Sequence, residues 1–164
     1  MPYVISYKTS FYVPDSQSLC IIMEYADGGD LENKINQQSE VTSSKGFEEG
    51  FIWKTAFQLL KGLKGLHEHT ITHRDLKCAN IFFVKGVAKI GDLNISKITD
   101  NGFASTQTGT PYYTSPEIWK GQKYDNKCDI WALGCIIYEM CTLLPPFRAQ
   151  DFPGLFQVVT SGKY

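Results

Sequence analysis

The sequence predicts an α+β fold, and three observations carry that prediction. Two runs of β-branched and aromatic residues open the chain, apolar residues at helical spacing fill most of the remainder, and no internal repeat interrupts the order. At 164 residues, 43% hydrophobic and 13% aromatic, the chain can bury one core and is too apolar to be disordered.

Residues 4–13 and 18–25 read as an antiparallel strand pair around the turn Pro14-Asp15-Ser16-Gln17. A hairpin alone is marginal in water and needs further cover. Residues 31–50 are polar and read as a short helix followed by a surface loop. Ile52, Ala56, Leu59, Leu60, Leu63 and Leu66 then recur at three- and four-residue spacing behind Glu48 and Glu49, which predicts an amphipathic helix. Short strands are expected at 81–83 and 88–90, an apolar helix at 129–144, and a last short helix at 151–159. The apolar stretch contains Glu139 and stops at Pro145-Pro146, short of the about 20 residues that span a bilayer.

Sixteen basic and seventeen acidic residues leave a net charge of −1, so neither nucleic acid nor a membrane surface is expected as a partner. Five cysteines, odd in number and without a Cys-x-x-Cys pair, are expected as buried reduced thiols. With no secretory signal pattern at Met1-Pro2-Tyr3-Val4, the expectation is an intracellular protein.

The chemistry concentrates in His73-Arg74-Asp75-Leu76-Lys77-Cys78-Ala79-Asn80. A lone Asp or Asn would more simply be a turn residue bonding its own backbone. Five fixed residues in eight reverse that preference, because the octapeptide resembles the protein-kinase catalytic loop H-R-D-L-x-x-x-N. In that resemblance Asp75 accepts the acceptor hydroxyl's proton, Lys77 offsets charge on the transferring phosphoryl group, and Asn80 offers an oxygen to magnesium. His73 is read as packed scaffold, and His67 and His69 carry no expected role.

Seventeen positions after Asp75 (92 − 75), Lys89-Ile90-Gly91-Asp92-Leu93-Asn94 resembles the D-F-G magnesium site, with Asp92 as the chelating carboxylate. Leu93 is expected to fill the slot of the usual Phe, and Asn94 to tolerate the positive φ of the usual Gly. Thr108-Gly109-Thr110-Pro111-Tyr112-Tyr113-Thr114-Ser115-Pro116-Glu117 resembles the end of an activation segment, with Ser115-Pro116-Glu117 for A-P-E. Thr106 is the expected activating phosphosite, its phosphate pairing with Arg74. Asp129-Ile130-Trp131-Ala132-Leu133-Gly134-Cys135 resembles D-x-W-x-x-G, which implies that Asp129 grips the catalytic-loop backbone from beneath.

These motifs, with Tyr25-Ala26-Asp27-Gly28-Gly29-Asp30-Leu31 and Pro145-Pro146-Phe147-Arg148-Ala149-Gln150-Asp151, resemble the NIMA-related (NEK) serine/threonine kinases along nearly the whole chain. The resemblance implies ATP and Mg2+ as cofactors and a protein substrate, with Lys77 and Thr110 pointing to Ser/Thr acceptors. It makes Met23 a gatekeeper, Glu24, Tyr25 and Ala26 a hinge whose backbone bonds adenine, Phe82 the pocket floor, and Asp30 a further cofactor-binding residue. A cytoskeletal or ciliary address follows from the resemblance alone.

No G-x-G-x-x-G loop and no V-A-I-K-like lysine occurs. Residues 1–25 are therefore expected as a remnant of the small lobe and 26–164 as the large lobe, ending before its final helices, with no arginine to pair with Glu117. Losing one group that stabilises developing charge costs roughly 3–4 kcal/mol, so the isolated chain is expected to be inactive. Two alternatives stand beside the enzyme: a pseudokinase-like docking module, and a small-molecule phosphotransferase, which would lack the segment from Thr110 to Glu117.

Overall fold

A computed structural model describes residues 1–42, 45–93, 97–98 and 111–164. Strands β1 (Tyr7–Val13) and β2 (Ser18–Met23) pair antiparallel from Val13 opposite Ser18 to Tyr7 opposite Met23, with an irregularity between Tyr7 and Thr9. The hairpin is shorter than the sequence predicts. Residues 3–5 instead run beside a later strand, where Ile5 N–H donates to the Ile90 carbonyl (2.8 Å) and Ile90 N–H to the Tyr3 carbonyl (3.0 Å).

Helix α1 (Leu31–Thr42) buries Leu31 and Ile35, and Asp30 caps it by accepting the Asn33 N–H at 2.8 Å. Helix α2 (Glu49–Glu68) follows the predicted periodicity, burying Ala56, Leu59, Leu63 and Leu66 while Leu60 stays on the exposed flank. Gly62 on the inward face has no room for a side chain, since a Cβ there would meet the Tyr3 carbonyl oxygen at 2.7 Å. The two-residue strands β3 (Ile71–Thr72) and β6 (Lys97–Ile98) pair antiparallel, and neither was legible at that length.

Strands β4 (Ile81–Val84) and β5 (Val87–Ile90) turn at Lys85-Gly86, both with positive φ (50° and 75°), as a tight two-residue hairpin requires. Residues 28–30 flank β4, through Gly28 N–H to the Phe83 carbonyl (2.9 Å) and Phe83 N–H to the Gly29 carbonyl (2.8 Å). Beyond the short helix α3 (Pro116–Trp119), α4 (Lys127–Thr142) starts two residues before the expected position and ends two before it. Leu143 adopts a left-handed φ of 61°, which stops the helix ahead of Pro145. Helix α5 (Phe152–Ser161) is capped by Asp151, which accepts the Gly154 N–H at 2.7 Å.

The core lies where α2, α4, β4 and β5 meet, with Leu59, Leu63, Leu66, Ile90, Ile136 and Met140 buried against one another. Each such side chain contributes about 1.5–3 kcal/mol. Cys78, Cys128 and Cys135 are buried free thiols, but Cys141 is exposed and Cys20 half-buried, which corrects the expectation that all five are buried. Among the described residues no helix is long and apolar enough to cross a membrane.

Candidate active site

The catalytic loop hangs from one buried carboxylate. Asp129 sits in the first turn of α4 with 1% exposure; its Oδ2 accepts the His73 N–H (2.9 Å) and its Oδ1 the Arg74 N–H (2.9 Å). His67, near the end of α2, donates its Nε2–H to the same Oδ2 at 2.8 Å. Arg74 carries a left-handed φ of 75°, a conformation that costs a non-glycine residue on the order of 1–3 kcal/mol unless its surroundings hold it. The Asp129 bond supplies that hold. Arg74 Nε–H also donates to the Tyr124 hydroxyl at 2.9 Å, which aims the guanidinium.

His73 is fully buried and bonded on both ring nitrogens. Its Nε2–H donates to the Gly91 carbonyl (2.9 Å), and Nδ1 accepts the Asp75 N–H (3.3 Å), an arrangement that selects the neutral Nε2–H tautomer. Gly91 N–H in turn donates to the Asn80 carbonyl at 2.9 Å. Two bonds thus tie Gly91, the residue before Asp92, to the catalytic loop. Asp92 is exposed, and its φ of 56° turns the chain away from β5.

Lys77 Nζ lies 3.0 Å from Asp75 Oδ2. Asn80 donates through Nδ2 to the Asp75 carbonyl (2.8 Å) and more weakly to Asp75 Oδ2 (3.4 Å), leaving its own Oδ1 without a partner among the described residues. One carboxylate, one ammonium and one amide oxygen therefore share a small volume, mostly buried. Oxygen donors of this kind suit magnesium, which takes one or two protein oxygens plus phosphates and water. No cluster of three or more His, Cys, Asp or Glu occurs among the described residues, and such a site does not need one.

Leu93 departs from expectation. It stands 38% exposed and outside the buried core cluster, where the sequence had it filling an apolar slot. Around the expected nucleotide pocket, Met23 and Tyr25 are exposed and Ala26 is half-buried. Phe82 and Ile5 both lie against Gly91, the first so closely that a Cβ on Gly91 would meet its ring at 2.7 Å. Asp30 spends both oxygens on Asn33, at 2.8 and 2.7 Å, yet a carboxylate has lone pairs enough to accept further bonds. The Glu24 side chain bonds Ser6 and Lys89, while the role expected of this residue is one of its backbone.

Sequence reasoning missed a further buried carboxyl group. Glu139 Oε2 accepts from the Tyr113 hydroxyl (2.7 Å) and from the Cys78 thiol (3.4 Å), linking α4 to the catalytic loop and to the segment before α3. Burial pushes its pKa up, against those two bonds, and burial likewise raises the Cys78 and Tyr113 values. The signal was a single Glu in an otherwise apolar helix. Among the described residues, Ser115 of the A-P-E-like motif is wholly buried with no partner for its hydroxyl, and Glu117 has no ion pair. Asn94, Thr106 and Thr110 lie outside the described residues.

The protein kinase domain family matches residues 1–161. Serine/threonine-protein kinase Nek5 of Homo sapiens is 44% identical over 158 residues, covering 94% of this chain and 22% of that protein. Mouse Nek3 is 40% identical over 164 residues, covering 98% and 31%, and mouse Nek2 is 39% identical over 171 residues, covering 99% and 38%. The chain spans well under half the length of each of these relatives.

Proposed function

Because this chain belongs to the protein kinase family, with NIMA-related kinases among its relatives, we propose that it carries the catalytic centre of an ATP-dependent serine/threonine kinase. The observation that supports this reading best is the Asp75, Lys77 and Asn80 constellation tied through Gly91 to Asp92.

Each residue has a role set by its contacts. Asp75, oriented by Asn80, accepts the proton of a Ser or Thr hydroxyl as that oxygen attacks the γ-phosphorus in line. Lys77, already 3.0 Å from Asp75, lies close enough to neutralise charge on the phosphoryl oxygens without leaving the loop. Asn80 Oδ1 and the Asp92 carboxylate would hold magnesium, whose charge offsets that of the β- and γ-phosphates. The apolar side chain of Phe82 and the backbone of residues 24–26 would receive adenine.

The test uses the longest natural polypeptide that contains this chain, with MgATP and a Ser/Thr protein substrate. Transfer to hydroxyl side chains is expected, falling by about 10³-fold or more in Asp75→Ala and in Asp92→Asn. Nucleotide binding without transfer, or transfer undiminished in Asp75→Ala, would overturn the proposal.

A further inference from the structure

Glu24 makes a set of contacts that a hinge residue contributing only its backbone would not need. Its Oε1 accepts the Ser6 N–H at 2.7 Å, and both of its oxygens lie within 2.8 Å of Lys89 Nζ. Its own N–H donates to the Ser6 carbonyl at 2.9 Å, so Ser6 is gripped twice. Lys89 and Glu24 are only 14% and 15% exposed, although the hairpin beside them is exposed on both faces. A covered, bidentate, charge-assisted contact holds geometry far better than a solvated surface pair. The Lys89 ammonium and the Ser6 N–H keep the Glu24 carboxyl below the usual range, so it is ionised at neutral pH.

Three chain segments meet at this contact, and each leads to the candidate nucleotide site. Ser6 precedes β1, Glu24 begins the hinge, and Lys89 lies in β5 three positions before Asp92. Lys89 pairs in register with Phe82 on β4, and opposite residues of an antiparallel pair project from the same face. The Lys89 stem therefore rises beside the ring that would floor the adenine.

We propose that Glu24 and Lys89 form a latch that fixes the hinge backbone relative to the Phe82 ring and the strand that delivers Asp92, making both positioning residues for nucleotide binding. The proposal deepens the kinase reading and rests on it. A backbone held in place before the nucleotide arrives loses less freedom on binding, so breaking the latch weakens nucleotide affinity more than it slows the chemical step.

Glu24→Gln keeps an oxygen for the Ser6 N–H and loses the charge; Lys89→Met keeps the stem and loses the ammonium. In the longest natural polypeptide, each is expected to raise the KM for ATP about three- to tenfold with kcat within about twofold. Amide exchange at Ser6 and Glu24 is expected to quicken in both. The double variant should be no worse than the worse single, since the two side chains act as one unit. Unchanged KM and exchange in both single variants would overturn the latch, as would additive effects or a fall confined to kcat. Exchange is read without catalysis, so a wild-type protein that fails to phosphorylate any hydroxyl sinks the kinase reading while the exchange result still decides whether the contact holds the hinge.

Discussion

The β1–β2 hairpin and the α2–α4 core are built from the same kinds of apolar residue and meet opposite fates. Leu19, Ile21, Ile22 and Met23 of β2 are all exposed, whereas Leu59, Leu63, Ile136 and Met140 are sealed. Neighbouring strand residues point to opposite faces, so exposure at both Ile21 and Ile22 means that neither face of the hairpin is covered. Hydrophobicity supplies a driving force, but burial needs a second layer. In the core that layer is present, and it lets the protein place charged groups inside: Asp129 is buried because backbone N–H groups and His67 meet its oxygens. The candidate site gains its rigidity from the region that can bury a carboxylate.

Removing that carboxylate should produce the largest effect. Asp129→Ala leaves the His73 and Arg74 N–H groups without acceptors in a buried loop, at about 1–3 kcal/mol each. It also frees Arg74 from the bond that holds its left-handed backbone. For a chain of this size the unfolding midpoint should drop by roughly 10 °C, at about 2–4 °C per kcal/mol. Asp129→Asn, which keeps one acceptor oxygen, should lose less than half as much. Thermal unfolding of residues 1–164 by circular dichroism reads both, and an alanine shift below about 3 °C would show that the loop does not depend on the clamp.

Much of this arrangement was legible in the sequence where information is local. The octapeptide from His73 to Asn80 is contiguous, so its residue types and spacing survive without any knowledge of the fold. The grip of Asp129 was readable through its motif. The contact of His67 with Asp129 spans 62 positions and that of Glu24 with Lys89 spans 65, and a lone His or Glu gives no pattern that names a distant partner. Residues 4 and 5 looked like a continuation of β1 because strand propensity does not say which strand is the neighbour. The left-handed backbone of Asp92 was likewise hidden, because no side-chain pattern displays a positive φ.

Glu139 sharpens the contrast at an intermediate size. Its pKa is raised by burial, so the folded state holds that proton more tightly than the unfolded chain does. The resulting stability is fully present below the unfolded value near 4.5 and is lost as pH rises through the folded value. Glu139→Gln can still accept from the Tyr113 hydroxyl and has no charge to bury. The variant should match wild type near pH 4 and become the more stable of the two as pH rises toward 8. Urea midpoints across that range provide the measurement, and a difference independent of pH would mean that Glu139 ionises without penalty.

The smallest effect on stability belongs to the hairpin, and its smallness is the point. Leu19, opposite Tyr12 in the β1–β2 register, is 65% exposed, so Leu19→Lys removes little buried area and should change the unfolding free energy of residues 1–164 in urea by no more than about 0.5 kcal/mol. Its effect should appear in solution behaviour instead. An uncovered two-stranded sheet offers open edges and apolar faces to another copy, and a lysine there opposes such pairing. Sedimentation at increasing concentration should show less association for the variant than for wild type. A loss of more than about 1 kcal/mol would place Leu19 in a buried contact and erase the contrast, because the hairpin would then owe its stability to the same two-layer burial as the core.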